Sequence, residues 1–382
     1  MGDPNKSKRN RAAKPDGEVD RLSNLPDFII HQILGFLPDT KFAAQTCVLS
    51  KRWKNLWTSV SDLRFDTIYF SKNLRSFEKF MLYALLRRDH HSTVRTLALS
   101  INYKEGFGDE VSSGFDVVGL INWVVQYAVD HGVRHVYLSS RSMRFRPSPA
   151  LLGCRALKTL ELNNADVSGL SSACLPAVTN LVLKECFFDE FLYVTESTFP
   201  NLANLDICVA YGIDDSVMKL SGTKLVYLKM EGLCCDEVQL AAPNLQVFKF
   251  LHKAENGYGS GWIMDFLDVD LPSVKYAEVL FYECVDPAVE GNIEDQFLRL
   301  LDGIRNAVSL TLRVPPLKDL KTTGLLKHQI SPFTNLASLK LLVEKRNRGR
   351  GKKGDKKVLD DIKTYLLSGN PHPKNVDIIR VD

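Results

Sequence analysis

Long apolar runs are absent from this sequence of 382 residues. The longest uncharged stretch with helical character, residues 117–129, is shorter than the ~20 residues that a bilayer requires. It is also interrupted by Asn122 and Gln126. The N-terminus is polar and has no apolar signal core. We therefore expect no membrane-spanning helix and no secretion.

The cysteine spacing that is typical of zinc sites is absent as well. The eight cysteines contain no Cys-x-x-Cys pair, and their spacings do not match a zinc cage. Without a secretion signal, the sequence predicts reduced thiols and a chain that acts in the nucleus, the cytoplasm or both. No Ser/His/Asp or Cys/His set is brought together by the pattern. We therefore expect no catalytic residue, no metal and no cofactor.

Most of the excess positive charge is concentrated in one segment. The net charge is +4, yet residues 344–357 contain eight basic and two acidic side chains, so the rest of the chain carries −2. Such a balance is not typical of a nucleic-acid-binding fold. Residues 345–357 include three glycines and no apolar residue, which predicts a flexible basic insertion over 344–357. Residues 1–19 are small, polar and basic, and they predict a disordered arm.

Residues 20–60 carry the signals of three short helices. Pro26 suits a first helical turn, Pro38 ends that helix, and Asp39 and Ser50 can cap the next two. Apolar residues recur at helical spacing in the first helix, and large aromatic residues mark the third. A module of about 40 residues cannot bury so many large side chains by itself. Some of this surface must therefore face either a partner or the rest of the chain.

A motif of the form apolar-x-x-apolar-x-apolar recurs beyond Leu63. Its fourth positions are residues 97, 136, 160, 181, 205, 228, 248, 277, 310 and 339. The central intervals of 20 to 24 residues have the period of leucine-rich repeats. The sequence predicts an irregular leucine-rich-repeat array over 61–343, with one short strand per unit and an extra edge strand at Leu63–Phe65. We expect Ser71 and Asp116 to cap helices within the longer intervals, and a helix and strand over 358–382 to cap the array.

The strand centres of this array form the candidate binding face. Between the two buried positions of each motif, the side chain should point to one common face. That face would carry Tyr137, Glu161, Asp206, Lys229, Lys249 and Glu278. Mixed charge with an aromatic member favours a protein or peptide target over nucleic acid, with simple solvent exposure as the alternative.

Two other patterns are weaker. His131 and His135 lie four residues apart, as helical metal ligands do, but Gly132 and a predicted strand separate them. Glycines 257, 259 and 261 alternate without the strand-to-helix context of a phosphate-binding loop. We interpret the first pair as surface histidines and the second group as a loop.

The segment from Asp20 to Trp57 closely resembles the F-box of plant F-box proteins. The matching residues are Asp20-Arg21-Leu22-Ser23, Leu25-Pro26-Asp27, Ile33-Leu34, Phe36-Leu37-Pro38, Thr40-Lys41, Ala44, Thr46, Leu49-Ser50-Lys51-Arg52-Trp53 and Leu56-Trp57. With the repeats, the chain resembles plant F-box/leucine-rich-repeat proteins. The resemblance implies an α+β or α/β solenoid, in which a three-helix F-box at 20–60 precedes a leucine-rich-repeat horseshoe.

The resemblance also implies a function. Such proteins are non-catalytic receptors of Skp–cullin–F-box ubiquitin ligases, which hold a Skp-type adaptor, and through it a cullin, while the repeats hold a protein target. The implied adaptor contacts are Leu25, Pro26, Ile30, Ile33, Leu34, Leu37, Val48, Leu49 and Trp53. Some of these residues must instead form the core of the module. The alternatives are an interaction scaffold that promotes no ubiquitination, or a small-molecule co-receptor, for which neighbouring Lys229 and Lys249 give a hint.

Overall fold

The computed structural model describes most of the chain between Leu25 and Val381. The described residues are 25–71, 73–102, 116–141, 143–212, 216–252, 265–282, 293–313, 331–344, 360, 362–369 and 375–381. The predicted basic arm at 1–19, the glycines at 257–261 and all of the predicted insertion at 344–357 except residue 344 lie outside them.

Three short α-helices open the described chain, as the sequence predicts. They are α1 (Asp27–Gly35), α2 (Thr40–Gln45) and α3 (Trp53–Leu56), with single 3-10 turns at Thr46–Val48 and Trp57–Ser59. Asp39 caps α2, because its side chain accepts a hydrogen bond from the amide of Lys41. The inner sides of these helices contribute Ile30, Leu34 and Trp53 to the core of the protein.

Sixteen β-strands follow within the described residues. They are β1 (Asp62–Asp66), β2 (Thr96–Ile101), β3 (His135–Ser140), β4 (Thr159–Asn163), β5 (Asn180–Phe187), β6 (Phe191–Val194), β7 (Asn204–Tyr211), β8 (Val217–Ser221), β9 (Tyr227–Cys234), β10 (Glu237–Ala241), β11 (Val247–His252), β12 (Asp265–Asp270), β13 (Tyr276–Phe281), β14 (Ser309–Arg313), β15 (Ser338–Glu344) and β16 (Asn375–Val381). A twelve-stranded parallel sheet runs β1-β2-β3-β4-β5-β7-β9-β11-β13-β14-β15-β16, and a four-stranded parallel sheet runs β12-β10-β8-β6. The fold is thus mixed α/β.

The predicted strand register is confirmed. The ten fourth positions of the motif pair with one another from strand to strand, without a slip, from Leu97 to Leu339. All ten side chains are buried. The extra strand at Leu63 is also confirmed, since β1 pairs with β2 at one edge of the large sheet. Because side chains alternate between the faces of a strand, the residues between the buried positions all lie on the opposite face.

The connections between the strands change along the chain. Helices α4 (Leu74–Leu86), α5 (Val117–Asp130) and α6 (Pro149–Leu152) connect the first strands, and α7 (Ile293–Gly303) precedes β14. From β5 to β13 the chain instead alternates between the two sheets. Residues 362–367 are helical, and β16 pairs with β15 at the far edge. No helix in the described ranges is long and apolar enough to cross a membrane.

Of the two helix caps predicted within the repeat array, one is correct. Asp116 caps α5 by accepting a hydrogen bond from the amide of Gly119 at 2.7 Å. The prediction that Ser71 caps α4 is wrong, because Asn73 does so by accepting from the amide of Ser76 at 2.8 Å. Ser71 instead adopts a left-handed conformation, with φ of 54°. Ser71 directly follows the 3-10 turn at Thr67–Phe70, before α4 begins.

Candidate functional site

Helix α1 divides its apolar residues between the interior and the surface. Ile30 and Leu34 face inward, and Trp53 of α3 joins them; each of the three is at most 3% exposed. The interpretation of these three residues as adaptor contacts is therefore corrected, because burial against their own chain leaves them no surface for a partner. They are the part of the predicted set that forms the core of the module.

The other predicted contacts keep access to solvent. Val48 is 83% exposed, Leu49 58% and Ile33 38%, whereas Leu25 and Leu37 are half-buried and Pro26 is exposed. Phe28 of α1 and Phe36, which directly follows α1, are also largely exposed, and sequence reasoning missed them as contacts. We call Phe28, Ile33, Phe36, Val48 and Leu49 the exposed apolar set. Five large apolar side chains thus remain exposed between residues 28 and 49, which makes this segment the candidate protein-binding surface.

The helices that carry the exposed apolar set are fixed to the first strand of the large sheet. Both carboxylate oxygens of Asp39 are used, since Oδ1 accepts from the amide of Lys41 and Oδ2 from the amide of Asp66, each at 2.7 Å. The Thr40 hydroxyl accepts from the amide of Arg64 at 3.0 Å, and Arg64 Nη1 donates to the carbonyl oxygen of Gly35 at 2.8 Å. These hydrogen bonds therefore hold α1 and α2 in a fixed position relative to β1.

The predicted strand-centre residues lie in one row across the large sheet. From β3 to β13 the row is Tyr137, Glu161, Val182, Asp206, Lys229, Lys249 and Glu278, each paired with the next. All seven side chains are half-buried. The structure thus brings the six predicted residues onto one face, which also includes Arg64 and Ala98 at its first two strands. We call this row and its neighbours on the same side the sheet face.

Charges on the sheet face are paired with one another. Lys184 Nζ lies 2.6 Å from Glu161 Oε1, Lys229 Nζ 2.8 Å from Glu231 Oε2, and Lys249 Nζ 3.1 Å from Glu278 Oε2. Hydrogen bonding to Glu231 raises the pKa of Lys229, so its ammonium group stays charged. Because both Lys229 and Lys249 have carboxylate partners, they do not form an uncompensated basic pocket, and the hint of a small-molecule site loses its support.

Asp206 lies near the middle of the row. Burial raises the pKa of its carboxyl above the usual range, although nearby Lys229 and Lys184 partly offset this effect. Its Oδ1 is buried without a hydrogen-bond partner, and Lys229 Nζ lies 4.0 Å away. The centre of the sheet face therefore contains a carboxylate that its own neighbours only partly compensate.

The two histidines that sequence spacing singled out do not share a site. His131 stacks on Tyr127 and its Nδ1 lies 2.7 Å from the Tyr127 carbonyl oxygen. His135 is on β3, where its Nδ1 lies 3.1 Å from the Thr159 hydroxyl. Among the residues that the structure describes, no group of three or more His, Cys, Asp or Glu side chains is arranged to hold a metal ion.

Comparison with known proteins gives one family match and several relatives. The F-box domain model matches residues 22–65. An F-box/FBD/LRR-repeat protein of Arabidopsis thaliana is 27% identical over 363 residues, which are 85% of this chain and 68% of that protein. An FBD-associated F-box protein of the same plant is 28% identical over 70% of this chain and 61% of its own length. A further F-box/FBD/LRR-repeat protein is 26% identical, with 75% and 64% covered. The chain therefore spans about two thirds or less of these relatives.

Proposed function

We propose that this chain, which carries an F-box domain and is similar to plant F-box/FBD/LRR-repeat proteins, is the substrate-recognition subunit of a Skp–cullin–F-box ubiquitin ligase. In this proposal the helices α1–α3 hold a Skp-type adaptor, which connects the chain to a cullin. The repeats form a solenoid whose sheet face holds a target protein. Such a subunit acts in the nucleus or the cytoplasm and catalyses no step itself, because it accelerates ubiquitin transfer by bringing the target close to the activated ubiquitin.

The exposed apolar set is the observation that supports the proposed binding of a Skp-type adaptor. F-box domains generally bind Skp-type adaptors, and the five residues of the set lie within residues 22–65, which match the F-box model. Apolar anchors of this kind dominate the binding free energy of protein interfaces when they become buried on association. From the sequence-predicted contacts, we retain Ile33, Val48 and Leu49 as anchors, with Leu25, Pro26 and Leu37 beside them.

The sheet face supports the proposed binding of a target protein. It offers a row of half-buried side chains that includes both acidic and basic residues as well as Tyr137, which suits a protein surface with complementary charges better than a polyanion. Parallel sheets built from stacked repeats commonly bind partners on such a face.

Replacing both Val48 and Leu49 by alanine is expected to weaken adaptor binding at least about tenfold, because two exposed anchors lose their contacts with the partner. The measurement is the affinity of purified chain for a Skp-type adaptor, for example by biolayer interferometry. The control is Ile378→Ala on β16, since Ile378 is 46% exposed and lies on the opposite edge strand of the large sheet. Unchanged affinity in the double variant would remove Val48 and Leu49 from the interface.

The Val48→Ala/Leu49→Ala double variant can also be used as a bait to isolate the target protein. Because its substitutions are at exposed positions, it should stay folded while it no longer delivers bound proteins to the ligase. Proteins that it retains from plant extract, and that a Tyr137→Ala/Glu278→Ala derivative loses, are the candidates for the target. Retention that is identical with and without the two sheet-face substitutions would argue against this face as the target site.

A further inference from the structure

A polar pocket of about 500 Å³ opens on the sheet face at its first three strands. Its floor is Ala98 of β2, which pairs with Arg64 of β1 on one side and Tyr137 of β3 on the other. Alanine ends at Cβ, so the two longer side chains become walls around the space above it. Thr96 and His135 line the same pocket two residues before Ala98 and Tyr137 on their strands.

The pocket contains more positive than negative charge. Arg95 donates from Nε to Asp62 Oδ1 at 3.2 Å and from Nη2 to Asp62 Oδ2 at 2.5 Å, so the single carboxylate of the lining is already paired. Arg64 adds a second guanidinium. Burial and the nearby charges of Arg95 and Lys158 lower the pKa of His135, which agrees with a positive surrounding potential.

Arg64 is held in place from outside the sheet. Its Nη1 donates to the carbonyl oxygen of Gly35, at the end of α1, and lies 3.4 Å from that of Leu37. A guanidinium that is fixed in this way loses little conformational entropy when a ligand binds. The hydroxyl group of Tyr137 adds a neutral donor around the same space, whereas the side chain of Thr96 is hydrogen-bonded to Asp62.

We propose that this pocket binds an oxyanion, a phosphate or carboxylate group, that a bound target protein presents to the sheet face. A cation would meet two guanidinium groups and a carboxylate that is already paired, whereas an oxyanion would gain charge-assisted hydrogen bonds. The assignment to a target rests on the proposed function. The assignment of the pocket to an oxyanion does not, because it can be measured with small anions alone.

The test uses the full chain, titrated with inorganic phosphate or with acetate at pH 7, with sodium chloride keeping the ionic strength constant. Isothermal titration calorimetry should show saturable phosphate binding with a dissociation constant on the order of millimolar. Ala98→Leu fills the floor without changing any charge, and it should weaken binding at least about tenfold. Arg95→Gln should weaken it to a similar extent. Tighter binding of phosphate than of acetate would indicate a phosphorylated target, and equal binding an acidic side chain.

The matched control is Arg146→Gln. Arg146 forms an exposed pair with Asp166 at 2.5 Å, the same separation as in the pair of Arg95 with Asp62, but it lies outside the pocket. This variant should bind phosphate like the unmodified chain. The proposal is overturned if neither anion binds saturably, if folded Ala98→Leu binds as tightly as the unmodified chain, or if Arg146→Gln loses as much affinity as Arg95→Gln. Adaptor affinity, measured in parallel, tests the proposed function separately.

Discussion

Replacing Leu181 by alanine is expected to lower the free energy of unfolding by about 2–5 kcal/mol. The side chain of Leu181 is fully buried, and its neighbours in register are Leu160 of β4 and Leu205 of β7. The backbone hydrogen bonds of β5 with β4 and with β7 hold these neighbours at a fixed spacing. The cavity left by the missing side-chain atoms of Leu181 therefore cannot close fully. Urea unfolding followed by circular dichroism measures the loss.

Glu161→Ala is the control for this substitution. Glu161 lies on the neighbouring strand β4, on the opposite side of the sheet from Leu181, where it is half-buried and paired with Lys184. The loss of such a pair costs at most about 1 kcal/mol. If Glu161→Ala unfolded the chain while Leu181→Ala had little effect, the register of the strand faces would be off by one residue.

Replacing Asp39 by alanine is expected to destabilise the chain by about 1.5–5 kcal/mol, through two separate losses. The first is the cap of α2, worth about 0.5–2 kcal/mol. The second is the acceptor for the amide of Asp66, and an unsatisfied buried donor costs about 1–3 kcal/mol. Asp39 is buried, and it connects the three helices to β1. The measurement is again the free energy of unfolding in urea.

Asp116→Ala provides the matched control for Asp39→Ala. Asp116 caps α5 with a hydrogen bond of 2.7 Å to Gly119, as Asp39 caps α2, but Asp116 is exposed. Its loss should cost only about 1 kcal/mol, the usual value of a cap. Equal effects of the two substitutions would show that the second hydrogen bond of Asp39, to the amide of Asp66, contributes nothing to stability.

The effect of Asp39→Ala should also depend on pH. Burial raises the pKa of Asp39 to about 6, despite the hydrogen bonds from Lys41 and Asp66 that lower it. The folded chain therefore binds this proton more tightly than the unfolded chain, in which an aspartate has a pKa of about 3.9. The stability that Asp39 contributes should fall, by at most about 3 kcal/mol, as the pH rises from about 4 to about 6. The difference in free energy of unfolding between the unmodified chain and Asp39→Ala should thus be larger at pH 4.5 than at pH 7. The opposite trend would contradict a raised pKa of Asp39 in the folded chain.

The strand faces could be predicted from the sequence because they depend on local order. Spacing of 20 to 24 residues and alternation within each motif determine that Leu160, Leu181 and Leu205 face inward, and the paired register agrees. Asp116 could likewise be predicted as a cap from its position before an apolar helix. Ser71 could not be excluded in the same way, because both Ser71 and Asn73 are good caps and only the backbone turn at Ser71 decides between them.

The division of apolar residues between core and surface was decided by tertiary structure alone. Ile30 and Ile33 have the same chemistry and lie one turn apart on α1, yet only Ile30 meets Trp53 and the rest of the core. The oxyanion pocket likewise depends on residues that are 33 positions apart, since Arg95 reaches Asp62 only after β1 and β2 pair. The spacing of apolar residues predicts which side of each helix or strand is apolar, because the direction of each side chain follows from backbone geometry. Which face meets another element, and which charges meet across strands, follows only from how the elements pack.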